Sequence, residues 1–227
     1  MFEKDALVVY GRTGVCRVLD VTVPDFCRAA PGERGTLYYV LRPLYQDRII
    51  YAPADNPQLP LRPILTEEEA LALVDLIPSV QAKAYYGVSV QDLRDHYQSM
   101  LQTNRCADLM EMVLSIYAKK ARAEQTHKKF GAVDERFMRQ AEALFAGEIA
   151  ASLGITPEEV PDYIARRVHA AQAVHRRQQQ HDDPRCGKIR RHAAHHARHG
   201  HDHRRDEPAV LVPAQLPDAL DRTLFFM

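Results

Sequence analysis

Apolar positions along the chain keep two different periods, and the change from one to the other falls at about residue 65. Before it, apolar residues stand in short runs separated by turn formers. "LVVYGRTGVCRV" (residues 7–18) holds two runs rich in β-branched and aromatic residues around a turn carrying Gly11 and Gly14, which predicts a hairpin. "DVTVPDF" follows, then a polar Pro/Gly loop in "CRAAPGERG". "TLYYVLRPL" (residues 36–44) has the strongest β-propensity in the chain, and a short turn at Gln46 and Asp47 leads into "QDRIIYAP" (residues 46–53). Asn56, Pro57, Pro60 and Pro63 then come in quick succession. Four or five short strands with no helical period predict a small antiparallel β-barrel or curled sheet. A fold of about 60 residues is marginal alone, so it is expected to lean on a neighbour or a partner.

After residue 65 the period becomes helical. Thr66 with Glu69 three residues on forms a capping box, Leu65 and Ala70 stand where a hydrophobic staple would go, and Pro78 stops the helix. A second helix begins at Ser89, with Val90, Leu93, Tyr97, Met100 and Leu101 on one face. "ADLMEMVLSIYAKKARAEQ" repeats the pattern, as does "VDERFMRQAEALFAGEIAASLG", where Gly154 suits a C-terminal cap. A fifth helix is expected to start at "TPEE", with Thr156 as cap and Pro157 at its first position, and to kink or restart at Pro161. The expectation is an α+β chain: a β domain over residues 1–65, an all-α domain over 66–173, and a disordered tail over 174–227. That tail, "RRQQQHDDPRCGKIRRHAAHHARHGHDHRRDEP" with short apolar scraps after it, has too few large apolar residues to offset the entropy of ordering.

Composition changes this picture little, but charge distribution does. Apolar content of 46% suffices for a core, no run of eighteen apolar residues predicts a membrane span, and "MFEKDAL" predicts no secretory signal. Cys16, Cys27, Cys106 and Cys186 form no C-x-x-C pair and no spaced quartet, which fits a reducing cytoplasm and argues against a cysteine metal site. Net charge is formally zero, yet residues 176–205 hold 9 basic against 3 acidic residues. Residues 1–175 hold 20 basic against 23 acidic, and 206–227 hold 1 against 4. The basic segment is local.

Candidate chemistry is thin. "HAAHHARHGHDH" carries six of the eleven histidines, a composition able to hold zinc, nickel or copper loosely, but nothing fixes its geometry and neighbouring arginines oppose a divalent cation. A biased tail is the plainer reading, and the same Arg/His/Ala/Pro mixture also fits a GC-rich gene read out of frame near its end. No nucleophile elbow, Gly-rich phosphate loop or H-E-x-x-H is present, and "TEEE" and "TPEE" are explained as helix starts. No catalytic residue, metal ligand or cofactor is therefore expected. Lys119, Lys120, Arg122, Lys128, Lys129, Arg136 and Arg139 gather near one end of a helical hairpin if the two helices carrying them pair. Phosphate neutralisation and an ordinary solvated surface salted by Glu124, Asp134 and Glu135 both remain open for them. Tyr85 and Tyr86 precede Gly87 in a loop, suited to wedging at a base step or to packing on the core.

Three stretches together resemble the bacterial CarD-type transcription regulators, whose N-terminal domain is shared with the transcription–repair coupling factor. "LVVYGRTGVCRV" is similar to the family's opening strands, "LYYVLRPLYQDRIIYAPADN" to its central hairpin, and "FGAVDERFMRQAEALFAGEIAASLGI" to its helical signature, with Glu135, Met138, Ala141, Leu144 and Glu148 in place. The resemblance spans about residues 1–170. It implies a Tudor-like barrel that pairs with the β subunit of RNA polymerase, and a helical domain on promoter DNA that stabilises the open complex. Polymerase contacts then fall on "DRIIYAP", at Arg48, Ile50, Tyr51 and Pro53, by strand addition to an exposed sheet edge. DNA contacts fall on the seven basic residues above and Tyr86. Two departures stand out: where several members carry a Trp at the fork this chain has none, and Tyr51 stands where members often carry Arg. The expectation is a non-enzymatic, monomeric, cytoplasmic regulator; the alternative is a protein-interaction adaptor using the same barrel without DNA.

Overall fold

The computed structural model describes residues 1–27, 35–56 and 58–181. The chain divides into two units, Met1–Ile164 and Ala165–Met227, and within the second the described part is the continuation of the last helix to His181. The first unit opens with β1 (Leu7–Tyr10), β2 (Gly14–Thr22), β3 (Tyr38–Pro43), β4 (Ile50–Pro53) and β5 (Leu61–Pro63). All pairings are antiparallel, in the order β4-β3-β2-β1-β5. Helices α1 (Glu67–Leu76), α2 (Val90–Gln102), α3 (Cys106–Gln125), α4 (Ala132–Leu153) and α5 (Val160–His181) follow.

The period-two pattern sets the faces of the sheet. Val8, Cys16, Val18, Tyr39, Leu41 and Ala52 form its inner core, and Ile50 and Leu61, from opposite edges of the strand order, both pack against that cluster. A sheet whose two edge strands share one core must be curled. A bulge between Val18 and Asp20 adds to the bend of the long β2 strand. The expected hairpin is present, with a 3-10 turn (Gly11–Thr13) between β1 and β2. Val9 and Val15, paired opposite each other on the other face, are also buried, because α4 lies there: a Cβ on Gly14 would sit 3.2 Å from Leu144 Cδ2. Gly14 also has φ +86°, a conformation that side chains disfavour, so the backbone itself favours glycine here.

The helices follow their local signals. Thr66 and Glu69 form the reciprocal capping box, and Ser89 caps α2 by accepting from the Asp92 N–H. α3 and α4 pair as a hairpin, joined across it by Tyr117 to Glu142 and by Lys119 to Asp134. Two expectations are corrected. "TPEE" forms a turn in which Glu159 accepts from the Thr156 N–H, and α5 starts at Val160, so Pro161 lies in the first turn, where a missing N–H costs nothing. α5 also runs to His181, past the boundary drawn at residue 173; residues 182–227, including the His-rich segment, lie outside the described residues.

One buried carboxylate joins sheet and helices. Glu148 of α4, 1% exposed, accepts two hydrogen bonds from the Arg62 guanidinium of β5, Nη1 to Oε1 at 2.5 Å and Nη2 to Oε2 at 2.7 Å. It also accepts from the Leu65 N–H at 3.3 Å and from the Cys106 thiol of α3. Arg62 Nε donates to the Asn104 carbonyl in the α2–α3 turn, while Asn104 Nδ2 donates to the Pro60 carbonyl at 3.1 Å. Ser152 Oγ donates to the Leu65 carbonyl at 2.8 Å. On the neighbouring residue of α4, Tyr45 Oη donates to the Gly147 carbonyl at 3.0 Å; a Cβ on Gly147 would sit 3.0 Å from the Tyr45 ring, so glycine favours this close approach.

Removing one partner of a buried ion pair strands the other. Glu148→Ala is expected to cost about 3 kcal/mol in urea unfolding of the full chain, the lower end of the usual range because the Arg62 side chain is 24% exposed. The double replacement Arg62→Met with Glu148→Leu should recover more than half of that loss; an additive loss would show that the network does not depend on the pair. A second expectation concerns the thiols. Burial pushes the Cys16 thiol up to about 11 despite the nearby Arg48 charge, and burial with Glu148 pushes Cys106 up as well. Both thiolates are disfavoured in the fold, so peptide mapping at neutral pH should find Cys16 and Cys106 unalkylated until denaturant unfolds the chain.

Candidate functional site

β4 is an edge strand, as expected of "DRIIYAP". Its register, Leu41↔Ile50, Val40↔Tyr51, Tyr39↔Ala52 and Tyr38↔Pro53, continues into a hydrogen bond from the Ala54 N–H to the Leu37 carbonyl at 2.8 Å. Antiparallel pairing alternates, so Ile50 and Ala52 direct their backbone groups at β3, while Tyr51 directs its N–H and C=O away from the sheet. Pro53 has no N–H, which suits an edge. A partner strand added here would form its two hydrogen bonds at Tyr51.

The side chains of this edge divide between the faces. Ala52 is buried and Ile50 half-buried on the core side, whereas Tyr51 is 46% exposed on the outer side. Tyr51 meets Phe26 edge-on, with ring centroids 5.2 Å apart and planes at 89°, and Phe26 meets Tyr38 at 5.8 Å and 73°. Phe26 is 67% exposed, and Ile49 beside the strand is half-exposed. An aromatic patch on water at a sheet edge is the kind of surface that marks a protein contact. Arg48 is exposed just before β4. Phe26 went unread from sequence: it lies between β2 and β3, and only the strand pairing brings it to Tyr51.

The basic residues of the helices do not form one cluster. Lys119 points inward, its Nζ 2.7 Å from Asp134 Oδ1, and Asp134 is itself buried and accepts from Tyr97 Oη at 2.8 Å. Burial, with this hydrogen bond, holds the Tyr97 phenol well above its ordinary value. Asp134, read from sequence as surface, is thus the polar centre of the α2–α3–α4 packing. Arg139 pairs with Glu135 on the exposed face of α4, and Arg136 lies over the Phe137 ring at 4.9 Å. Lys120 is half-buried near Glu142. Arg122, Lys128 and Lys129 remain exposed around the α3–α4 turn.

The two tyrosines are also engaged. Tyr85 stacks on His96, centroids 3.8 Å apart at 19°, and its hydroxyl donates to Asp92 Oδ2 at 2.9 Å. Lys119 Nζ lies 5.3 Å from the centre of the Tyr86 ring. Asp92 Oδ2 also accepts from the Val88 N–H at 3.0 Å, holding a loop in which Val88 is 99% and Val90 58% exposed. Among the described residues no group of three or more His, Cys, Asp or Glu is placed to hold a metal ion, and no helix is long and apolar enough to cross a membrane.

Compared with known proteins, residues 2–65 match the family model of the CarD-like/TRCF RID domain, the stretch that contains the whole five-stranded sheet. No curated protein matches the chain. Residues 2–65 are a CarD-like/TRCF RID domain, an RNA polymerase-interacting module of transcription proteins.

Proposed function

We propose that this chain is a non-enzymatic, cytoplasmic transcription regulator that docks on the RNA polymerase β subunit as a single copy and places its helices against promoter DNA, altering the stability of the open complex. The observation that carries the docking half is the free edge of β4, where Tyr51 offers both backbone groups outward and an exposed ring beside Phe26. Strand addition at such an edge takes its affinity from main-chain hydrogen bonds, while flanking Arg48, Ile50, Tyr51 and Pro53 set the fit. Tyr51 replaces a charge contact by ring packing.

The DNA half rests on Arg122, Lys128 and Lys129 at the α3–α4 turn, with Arg136 and Arg139 on the neighbouring turns of α4. Lys119 is assigned to the fold instead, and Lys120 and Tyr86 to the margin of the surface. With both tyrosines engaged, the apolar side chain that projects ahead of α2 is Val88. The engagement of Lys119 and Arg139 by carboxylates leaves fewer free charges than the sequence counts, which favours the adaptor without DNA as the second reading. A salt titration separates them: phosphate contacts make affinity fall steeply with ionic strength, and an adaptor shows no such DNA affinity to lose.

Tyr51→Glu in the full chain is expected to lower affinity for RNA polymerase by at least tenfold while leaving the circular dichroism spectrum and thermal midpoint unchanged. Unaltered affinity would show that β4 is the wrong edge. Neutralising Arg122, Lys128 and Lys129 together should lower affinity for promoter duplex and reduce its salt slope by about two to three. Lys119→Ala should instead destabilise the fold by about 3 kcal/mol, because it strands buried Asp134; equal DNA losses without destabilisation would reverse that assignment.

A further inference from the structure

Arg17 of β2 and Arg42 of β3 stand directly opposite each other in the strand register, and both are exposed. Their neighbours set the face: the adjacent pairs Cys16↔Pro43 and Val18↔Leu41 are buried in the core, so the arginines point to the outer side. Side chains directly opposite on one face of an antiparallel pair have Cβ atoms about 5 Å apart, and like charges there oppose the pairing. Neither guanidinium makes an ion pair or a hydrogen bond among the described residues. The nearest outer-face carboxylate along β2, Asp20, is opposite Val40 and accepts from the Val21 N–H at 2.8 Å instead. Arg62, Lys119 and Arg139 all have acid partners, so this unit does pair its cations where they serve the fold. A repulsive pair left without a counter-ion in the middle of a sheet gives the fold nothing.

The outer face that carries the two arginines continues through Val40 and Tyr38 of β3 to Tyr51 and Pro53 of β4, where the aromatic patch and the free edge lie. We infer that Arg17 and Arg42 form a receptor for one carboxylate, an Asp or Glu side chain on the surface of the RNA polymerase β subunit that overlies this face. The inference rests on the docking proposed for β4 and adds its charge selectivity: the edge hydrogen bonds accept any extended strand, and the arginine pair rejects one not flanked by an acid. Guanidinium groups suit this role because each presents parallel donors to both carboxylate oxygens. The returned charge also relieves the repulsion across the strands, so the acid is bound at a site already destabilised without it. A phosphate backbone fits this face less well, since duplex binding needs several cations along a strip and exposed Asp20 stands on the same strand.

The test is Arg42→Glu in the full chain, assayed against RNA polymerase core enzyme from the same source, with wild type and Tyr51→Glu alongside. The substitution replaces a repulsive cross-strand pair by an attractive one, so the thermal midpoint should hold or rise while polymerase affinity falls at least tenfold. That combination is one a structural arginine cannot produce. Wild-type binding that is lost in Tyr51→Glu but retained in Arg42→Glu overturns the carboxylate receptor and leaves the β4 docking intact. Absence of binding by wild type overturns both. A lowered midpoint shows that Arg42 serves the fold, and loss of duplex DNA affinity with polymerase binding unchanged identifies a phosphate as the occupant; either result overturns the inference. Arg17→Gln provides the same readings if the first variant is unfolded by circular dichroism.

Discussion

The Arg62–Glu148 pair is the interaction on which the rest of this structure depends. β5 is three residues long and ends in Pro63, too short for an edge strand to hold its place through pairing with β1 alone. Its guanidinium, clamped on a carboxylate in α4 and on the Asn104 carbonyl between α2 and α3, ties the end of the sheet to three helices at once. A charge this deeply buried is tolerable only because both oxygens of Glu148 are satisfied, by Arg62, the Leu65 N–H and the Cys106 thiol. Once α4 is fixed there, Leu144 comes over Gly14 and Tyr45 over Gly147, and the outer face of the sheet is covered at the β1–β2 turn.

Covering one end leaves the other exposed, and the proposed docking uses this asymmetry. α4 occupies the outer face at the β1–β2 turn, so Val9 and Val15 are buried there, while among the described residues the outer face toward β3 and β4 keeps Tyr51 and Phe26 exposed, with Tyr38 half-buried beside them. The edge itself is short and partly blunted by Pro53, which limits unwanted strand pairing and restricts addition to the neighbourhood of Tyr51. The fold and the proposed docking therefore use different ends of the same face of this small sheet.

Charge follows the same division. Buried or half-buried carboxylates, Glu148, Asp134 and Glu142, are each bound to a tyrosine, a lysine or an arginine and serve packing. Among the described residues, cations left without such partners lie on exposed surface: Arg17 and Arg42 on the outer face of the sheet, and Arg122, Lys128 and Lys129 at the α3–α4 turn. The formal net charge of zero conceals this, because a sum over the chain does not distinguish a lysine under a tyrosine ring from one in solvent.

Sequence by itself determined the elements. The period change at residue 65, the glycines of the first turn, the capping box at Thr66 and Glu69, and the cap at Ser89 are local signals, and each acts within a few residues of where it is written. The edge position of "DRIIYAP" was an expectation from the family resemblance, and the strand order agrees with it. Only tertiary structure decided which charges are free. Lys119 and Asp134 read as surface because each sits in a polar stretch, and their burial depends on how α3 meets α4, fifteen residues apart in the chain. Arg62 and Glu148 are 86 residues apart, Tyr45 and Gly147 are 102, and the opposition of Arg17 to Arg42 comes from the β2–β3 register. Hydrophobic periodicity reports which face of an element is buried but says nothing of which polar group it will meet, because that partner is chosen by packing between elements distant in sequence.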